Sequence, residues 1–307
     1  MKLGVPTEIK PQERRVGLTP EGVAALVAEG HEVLVQQGAG GGAGFADAAY
    51  RAAGATLVPD AAAVFAAAAL IVKVKEPLPE ECALLRPGQV LFTYLHLAAA
   101  PELARRLAAG GVVAIAYETV TDAAGGLPLL APMSAVAGRM SVQVAAHLLQ
   151  SPPGAGILLP GVAGVPPARL AVLGGGVAGG QAARLGAAMG AEVHVLDRAA
   201  PALAALEAQA SGRLFTRFAT PPAIAEEVAA ADVVIGAVLL PGAAAPKLLT
   251  RAMVAAMRPG SVLIDIAIDQ GGCAETSRPT THAAPIYEAE GVTHYCVTNM
   301  PGAVART

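Results

Sequence analysis

The 307-residue chain carries 21 Lys and Arg against 24 Asp and Glu, a formal net charge of −3, so it lacks the electrostatic footprint of a nucleic-acid or anionic-membrane binder. Its length suits two domains, and its longest clean apolar run, residues 61–72, is too short to span a bilayer as a helix. The first ten residues, MKLGVPTEIK, lack the apolar segment of a secretory signal, and Cys82, Cys273 and Cys296 lie far apart without metal-ligand spacing, as buried thiols of a reducing compartment would. A soluble cytoplasmic protein without a metal is expected, its core built from small aliphatic side chains because Trp is absent and aromatics are few.

Short apolar runs alternate with helical patterns from the start. Residues 3–5 read as a strand, and Thr19 followed by Pro20 caps a helix to about Glu29. Residues 32–36 are the next strand, 38–44 a glycine-rich loop, 47–53 a helix, and 56–58 an extended segment. Asp60 caps a helix over 61–68. Strands then follow at 70–74, 89–94 and 112–116, with a helix over 101–109 between the last two. Such βα alternation predicts an α/β fold with a mostly parallel sheet. Residues 121–126 break the pattern, and 134–150 have the length and period of a long helix. The boundary falls near Pro132, giving a substrate domain over 1–131 and a second, Rossmann-like domain over 132–307. That second domain is expected to be doubly wound, with strands at 170–173, 193–196, 214–218, 232–237, 262–266 and 295–297 and helices at 177–189, 202–208, 223–230 and 247–257. No internal repeat of fixed period stands out.

The second domain opens on LAVLGGGVAGGQAARLGAAMGAEVHVLD. Gly174, Gly176 and Gly179 fit GxGxxG after a strand, and Asp197 closes the next strand about 20 residues on. Gly174 permits the tight turn, Gly176 lets the backbone approach a pyrophosphate, and Gly179 lets the helix pack closely on its strand. The opening N–H groups of the helix, at Val177 and Ala178, point at the phosphates. Asp197 is placed to accept the ribose hydroxyls and to repel a 2′-phosphate, favouring NAD over NADP; the adjacent Arg198 works against that preference.

Ligands of open parallel sheets bind beyond the carboxyl ends of the strands. Lys75, His96, Asp269 and Asn299 each follow a predicted strand. Singly, a strand-end lysine is usually a solvated charge and a lone histidine a satisfied core or surface group. Together, a cation, an imidazole and a carboxylate facing a nicotinamide are what hydride transfer at a small acid requires. Histidine exchanges protons near neutral pH, and the carboxylate either fixes its tautomer or is itself the base. Arg15 suits bidentate capture of a substrate carboxylate, and equally a plain surface charge.

MKLGVPTEIKPQERRVGLTPEGV, VKVKEP, YLHLA, AYETV, LPLLAPMSAVAGRM, LGGGVAGG, IGAVLLPGAAAPKL, DIAIDQGGCAETSRPTTH and TNMPGAV run the length of the chain. Together they resemble the alanine dehydrogenase family, which is shared with proton-translocating transhydrogenase. The resemblance implies reversible oxidative deamination of L-alanine to pyruvate and ammonia, with NAD bound between two domains. It also implies that Arg15 and Lys75 hold the substrate's carboxylate and carbonyl, with Met133 and Asn299 touching the substrate. His96 and Asp269 become the catalytic pair. Ser134, Val238, Leu239, Ile266, Ala267, Ile268, Asp269, Val297, Thr298, Asn299 and Met300 would line the cofactor with Gly174, Gly176, Val177, Ala178, Gly179 and Asp197. The chain departs from the family pattern at Ala135, usually glutamate, and Ala202, usually lysine, so weaker NAD binding is expected. Family members continue beyond MPGAVART with helices that return to the substrate domain and help form a hexamer; a homo-oligomer is expected, with one face of the first domain uncovered. Rival readings are the nucleotide-binding component of a transhydrogenase and a non-catalytic NAD-binding protein.

Overall fold

The computed structural model of the chain describes all residues except 210–211 and 239–243. They form an α/β protein of two compact units: Met1–Leu130 with Gly302–Thr307, and Ala131–Pro301. The last six residues therefore pack with the first unit, although the sequence pattern runs on from the second. Arg306 explains it: its guanidinium stacks over Phe45, 4.6 Å from the ring centroid, and donates to the carbonyls of Ala43 and Gly44 at 3.2 Å.

The first unit contains β1 (Lys2–Val5), β2 (Glu32–Gln36), β3 (Thr56–Val58), β4 (Leu70–Val72), β5 (Val90–Thr93) and β6 (Val113–Ala116). They lie in the order β3-β2-β1-β4-β5-β6, every pairing parallel. Strands in such a sheet are buried on both faces, and alternate side chains supply the two cores. Leu3, Val5, Val33 and Val35 pack with Val23 and Tyr50 on one face; Ile71 and Leu91 pack with Val64, Phe65 and Leu107 on the other. Helix starts follow the sequence signals, for Thr19 and Asp60 accept the amides of Gly22 and Ala63. At the β6 edge, Val113 and Ile115 are exposed.

The second unit contains β7 (Arg169–Leu173), β8 (Glu192–Asp197), β9 (Leu214–Phe218), β10 (Val233–Gly236), β11 (Val262–Asp265), β12 (Ile286–Ala289) and β13 (Val292–Tyr295). Their order, β12-β13-β11-β10-β7-β8-β9, repeats the arrangement of the first sheet and adds the antiparallel edge strand β12. It is the strand order of dinucleotide-binding sheets. Residue alternation is strict: Leu170, Val172, Val233, Ile235, Val262 and Ile264 enter one core, Ala171, Leu173, Val234 and Leu263 the other. Helices Ala131–Leu148 and Val177–Ala188 cover the first face, Pro221–Ala230 and Arg251–Ala255 the second. Each fully buried Val, Leu or Ile is worth about 1.5–3 kcal/mol. Among the described residues, no helix is long and apolar enough to cross a membrane.

Candidate active site

Pairing between the β4 and β5 segments continues past the strands themselves. Lys73 N donates to Phe92 O at 3.1 Å, Tyr94 N to Val74 O at 3.3 Å, and Thr93 Oγ1 to Lys75 O at 2.9 Å. Lys75 and His96 therefore leave the sheet on neighbouring strand exits, at the end where parallel sheets bind ligands. Lys75 is buried, its ammonium 3.6 Å from Glu76. Burial pushes the Glu76 carboxyl up, but the Lys75 charge and a hydrogen bond from Lys10 outweigh it and hold the group below the usual carboxylate range. Lys73 serves the fold: its fully buried ammonium bonds Glu81 at 2.6 Å and Glu8 at 3.1 Å, and Glu8 accepts Val74 N at 2.6 Å. Desolvation keeps the Glu8 carboxyl above its ordinary value despite Lys73. This network fixes the exit from which Lys75 projects.

Arg15 meets the buried carboxylate of Glu13 through Nε at 2.8 Å and Nη2 at 2.6 Å, with its own backbone N at 2.9 Å. Such a fork-on-fork pair sets the plane of a guanidinium. The Arg15 charge also reaches Tyr94, whose phenol is pushed up to about 12 by burial even so. The Tyr94 ring lies parallel to the His96 imidazole, centroids 5.9 Å apart at 7°, and its hydroxyl donates to Leu129 O. Tyr94 thus stands beside His96 and feels the Arg15 charge. Neither Tyr94 nor Glu13 stands out in the sequence; the only signal is TYLH, where two residues of extended chain bring Tyr94 to the side of His96. His96 itself is left-handed, φ 48 and ψ 41, uncommon for a non-glycine residue and characteristic of functional turns.

In the second unit, the turn after β7 has the expected mechanics. A Cβ at Gly179 would lie 1.7 Å from Gly174 O, and one at Gly174, where φ is 102, would lie 2.7 Å from Ala237 O. At Gly176, the N-cap of helix Val177–Ala188, a Cβ would meet nothing within 4 Å. No side chain caps this helix, whose first-turn N–H groups have no intrahelical acceptor. Open space over Gly176, an uncapped helix dipole and a turn only glycine permits together fit the pyrophosphate of a dinucleotide. Asp197, at the end of β8, accepts Gly175 N at 2.6 Å and Ala199 N at 2.8 Å; a carboxylate with about four acceptor positions keeps capacity for ribose hydroxyls.

The remaining expected residues of this unit follow β10, β11 and β13. Val238 comes after β10; Leu239 lies outside the described residues. After β11 a single 3-10 segment, Ile266–Gln270, carries Ile266, Ala267, Ile268 and Asp269. Its shape is set by the buried Asp265, which accepts Ala267 N at 3.0 Å, Cys273 N at 2.8 Å and the Ser277 hydroxyl at 2.6 Å. Lys247 clasps the turn beyond by donating to Gly271 O at 2.7 Å and Ala274 O at 3.0 Å. Val297, Thr298, Asn299 and Met300 follow β13, and Asn299 N reaches Asp269 Oδ1 at 3.3 Å. Asn299 is left-handed, φ 62, a conformation asparagine tolerates. Met133 and Ser134 lie in the first turn of Ala131–Leu148, whose Gly138 packs so closely that a Cβ would sit 2.1 Å from Ala178 O. Within this unit the fold therefore gathers Asp269 with Asn299 and sets the helix of Ser134 against the start of the glycine-turn helix. His96, Lys75 and Arg15 belong to the first unit, Asp269, Asn299, Met133 and Ser134 to the second. Among the described residues, no cluster of His, Cys, Asp and Glu could hold a metal ion.

Two family models match the chain end to end: "Alanine dehydrogenase/PNT, N-terminal domain" over residues 4–137 and "Alanine dehydrogenase/PNT, C-terminal domain" over 141–307. The alanine dehydrogenase of Halomonas elongata is 60% identical, aligned over 100% of this chain and 83% of its own length. That of Bacillus subtilis is 53% identical over 100% and 81%. Among solved structures, an L-alanine dehydrogenase superposes with a TM-score of 0.92 at 50% identity, covering 100% of this chain and 85% of its own. A transhydrogenase from Sinorhizobium meliloti gives 0.83 at 29%, covering 100% and 88%.

Proposed function

Because the chain belongs to the alanine dehydrogenase/PNT family, we propose that it catalyses the reversible, NAD-dependent oxidative deamination of L-alanine to pyruvate and ammonia. The observation that carries this reading is the group at the carboxyl end of the first sheet: buried Lys75, His96 on the neighbouring strand exit, and Arg15 oriented by Glu13, its charge felt by the Tyr94 that stands beside His96. Arg15 takes the substrate carboxylate bidentately, and Lys75 takes the carbonyl oxygen of pyruvate. Met133 and Asn299 complete the substrate contacts.

NAD, when bound, supplies the hydride acceptor at the nicotinamide ring. The Gly174–Gly179 turn and the helix behind it hold the pyrophosphate and Asp197 the ribose. Ser134, Val238, the segment 266–269 and residues 297–300 line the remainder. Loss of hydride from Cα of the neutral amine leaves the substrate as an iminium ion, to which water adds and from which ammonia then departs to leave pyruvate. His96 takes and returns the protons of water addition and amine release, and Asp269 is the second proton-handling group. With the carboxylate fixed, Cα is oriented for transfer rather than free to tumble, and orientation of this kind accounts for much of an enzyme's advantage. We also propose a homo-oligomer and a cytoplasmic location, in keeping with a small, freely diffusing substrate.

The test is the appearance of reduced nicotinamide absorbance on mixing purified protein with NAD and L-alanine, and its loss with pyruvate, ammonia and NADH. No turnover in either direction overturns the proposal. Hydride exchange between two nicotinamide dinucleotides without alanine would mark a transhydrogenase instead.

A further inference from the structure

We infer that Glu118 is a positioning residue that holds His96 in its working conformation, an inference that rests on the role proposed for His96. The ladder between β5 and β6 ends at Thr93 opposite Ala116, so Leu95 and His96 lie just beyond it, at the strand exit. One 3-10 turn, Tyr117–Thr119, follows β6 and swings the Glu118 carboxylate back over that exit. Its Oε1 accepts His96 N at 2.5 Å and Leu95 N at 3.2 Å, and Oε2 lies 3.3 Å from Leu95 N. The carboxylate is buried, and a buried anion bonded to two consecutive amides binds them more firmly than a neutral acceptor would.

The amide it grips hardest belongs to the residue in an unfavourable backbone region, φ 48 at His96. A left-handed non-glycine residue persists only where its surroundings hold it there. Backbone angles set the direction of Cα–Cβ, and hence where the imidazole stands beside Tyr94. Without the carboxylate, the exit relaxes towards an extended or right-handed turn and the imidazole swings away, while Arg15, Lys75 and the nucleotide turn stay as they are. Glu118 holds backbone amides, so its effect on chemistry passes through His96.

Four proteins test this: Glu118→Ala, Glu118→Gln, His96→Ala and the double variant Glu118→Ala/His96→Ala. They are compared in kcat, KM for L-alanine, NAD affinity and melting temperature. We expect Glu118→Ala to lower kcat by on the order of 10²-fold, the usual effect of displacing a reacting group by about 1 Å, with NAD affinity within about twofold. Glutamine keeps one acceptor oxygen for His96 N and should recover about a tenfold part of the loss. In the His96→Ala background, removing Glu118 should cost nothing further, because coupled residues are not additive. Additive losses in the double variant, or wild-type kcat in Glu118→Ala, overturn the inference. So does a loss explained by unfolded protein, including failure of both Glu118 variants to fold well enough to bind NAD. Wild-type turnover in His96→Ala would instead overturn the proposed reaction mechanism itself.

Discussion

Two carboxylate and imidazole positions of the second unit make opposite use of burial. Asp197 is partly exposed, with both oxygens already engaged by the amides of Gly175 and Ala199. It therefore shapes the turn after β7, in addition to the ribose contact proposed for it. Asp197→Ala should weaken NAD by about 10–100-fold, the range for a charge-assisted hydrogen bond of roughly 1.5–3 kcal/mol. It should also narrow the preference for NAD over NADP; an unchanged ratio in a cofactor titration would remove Asp197 from the ribose contact. His294, by contrast, is wholly buried. Its Nδ1 lies 2.9 Å from Val292 O, a group that only accepts, so Nδ1 carries the proton and Nε2 accepts from the Thr276 hydroxyl at 2.8 Å. Burial lowers its pKa below the ordinary 6.5, aided by Arg251 and Arg278 and opposed by the Val292 carbonyl and Asp265. The unfolded chain thus binds a proton that the folded protein refuses, so stability is full above about pH 6.5 and falls as the pH drops below it. Melting curves from about pH 7 to pH 5 should show a shallower acid decline in His294→Gln than in the parent; equal slopes would show that other groups dominate.

At the level of elements, the glycine turn separates folding from binding in adjacent positions. A methyl at Gly179 would collide with the Gly174 carbonyl at 1.7 Å, a backbone atom that cannot swing aside. Gly179→Ala should therefore lose about 1–3 kcal/mol of stability through overpacking together with NAD binding. At Gly176 the backbone is not left-handed and a Cβ meets no protein atom. Gly176→Ala should melt like the parent and yet fail to bind NAD, because the methyl occupies the space the pyrophosphate needs; retained affinity in a fluorescence titration would disprove that reading of the turn. This turn was legible in the sequence because its whole logic is local: apolar strand, glycines, helix and acid in one short span. The β12–β13 ribbon was not. A strand was expected at 295–297, but the pairing runs over Val292–Tyr295 against Ile286–Ala289. The turn between them is Glu290-Gly291, both with positive φ, a tight hairpin geometry that sequences usually signal with Asn-Gly or Asp-Gly. Similarly, the helix expected from residue 247 starts at Arg251. Lys247 is drawn to the carbonyls of Gly271 and Ala274, Leu249 pairs beside Ala274, and Thr250 supplies the cap. Glu118 was invisible for the same reason. It acts on amides 22 and 23 residues away, brought near by a neighbouring strand, and one chain read alone carries no record of which strands are neighbours. Glu13 and Tyr94 sit two residues from Arg15 and His96, but nothing in those short spacings marks them apart from ordinary loop and strand residues.

Over the whole molecule, an alanine-rich, aromatic-poor sequence builds two sheets of the same strand order by packing helices nearly backbone to backbone, as Gly138 does on Ala178. In each unit most of the candidate site residues follow the carboxyl ends of strands, where parallel sheets bind their ligands. Ligand binding at those ends therefore adds stability that the empty protein lacks. A ligand that binds only the folded state contributes RT ln(1 + [L]/Kd), about 2.7 kcal/mol at 100 times Kd. For a unit of this size each kcal/mol raises the melting temperature by roughly 2–4 °C, so NAD at that concentration should raise the transition of the second unit by about 5–11 °C. Gly176→Ala should start from the parent melting temperature and show no rise, whereas Asp197→Ala should show a reduced one at the same NAD concentration. Scanning calorimetry with and without NAD distinguishes these cases. A full shift in Gly176→Ala would mean that the stabilising dinucleotide binds somewhere other than the turn after β7.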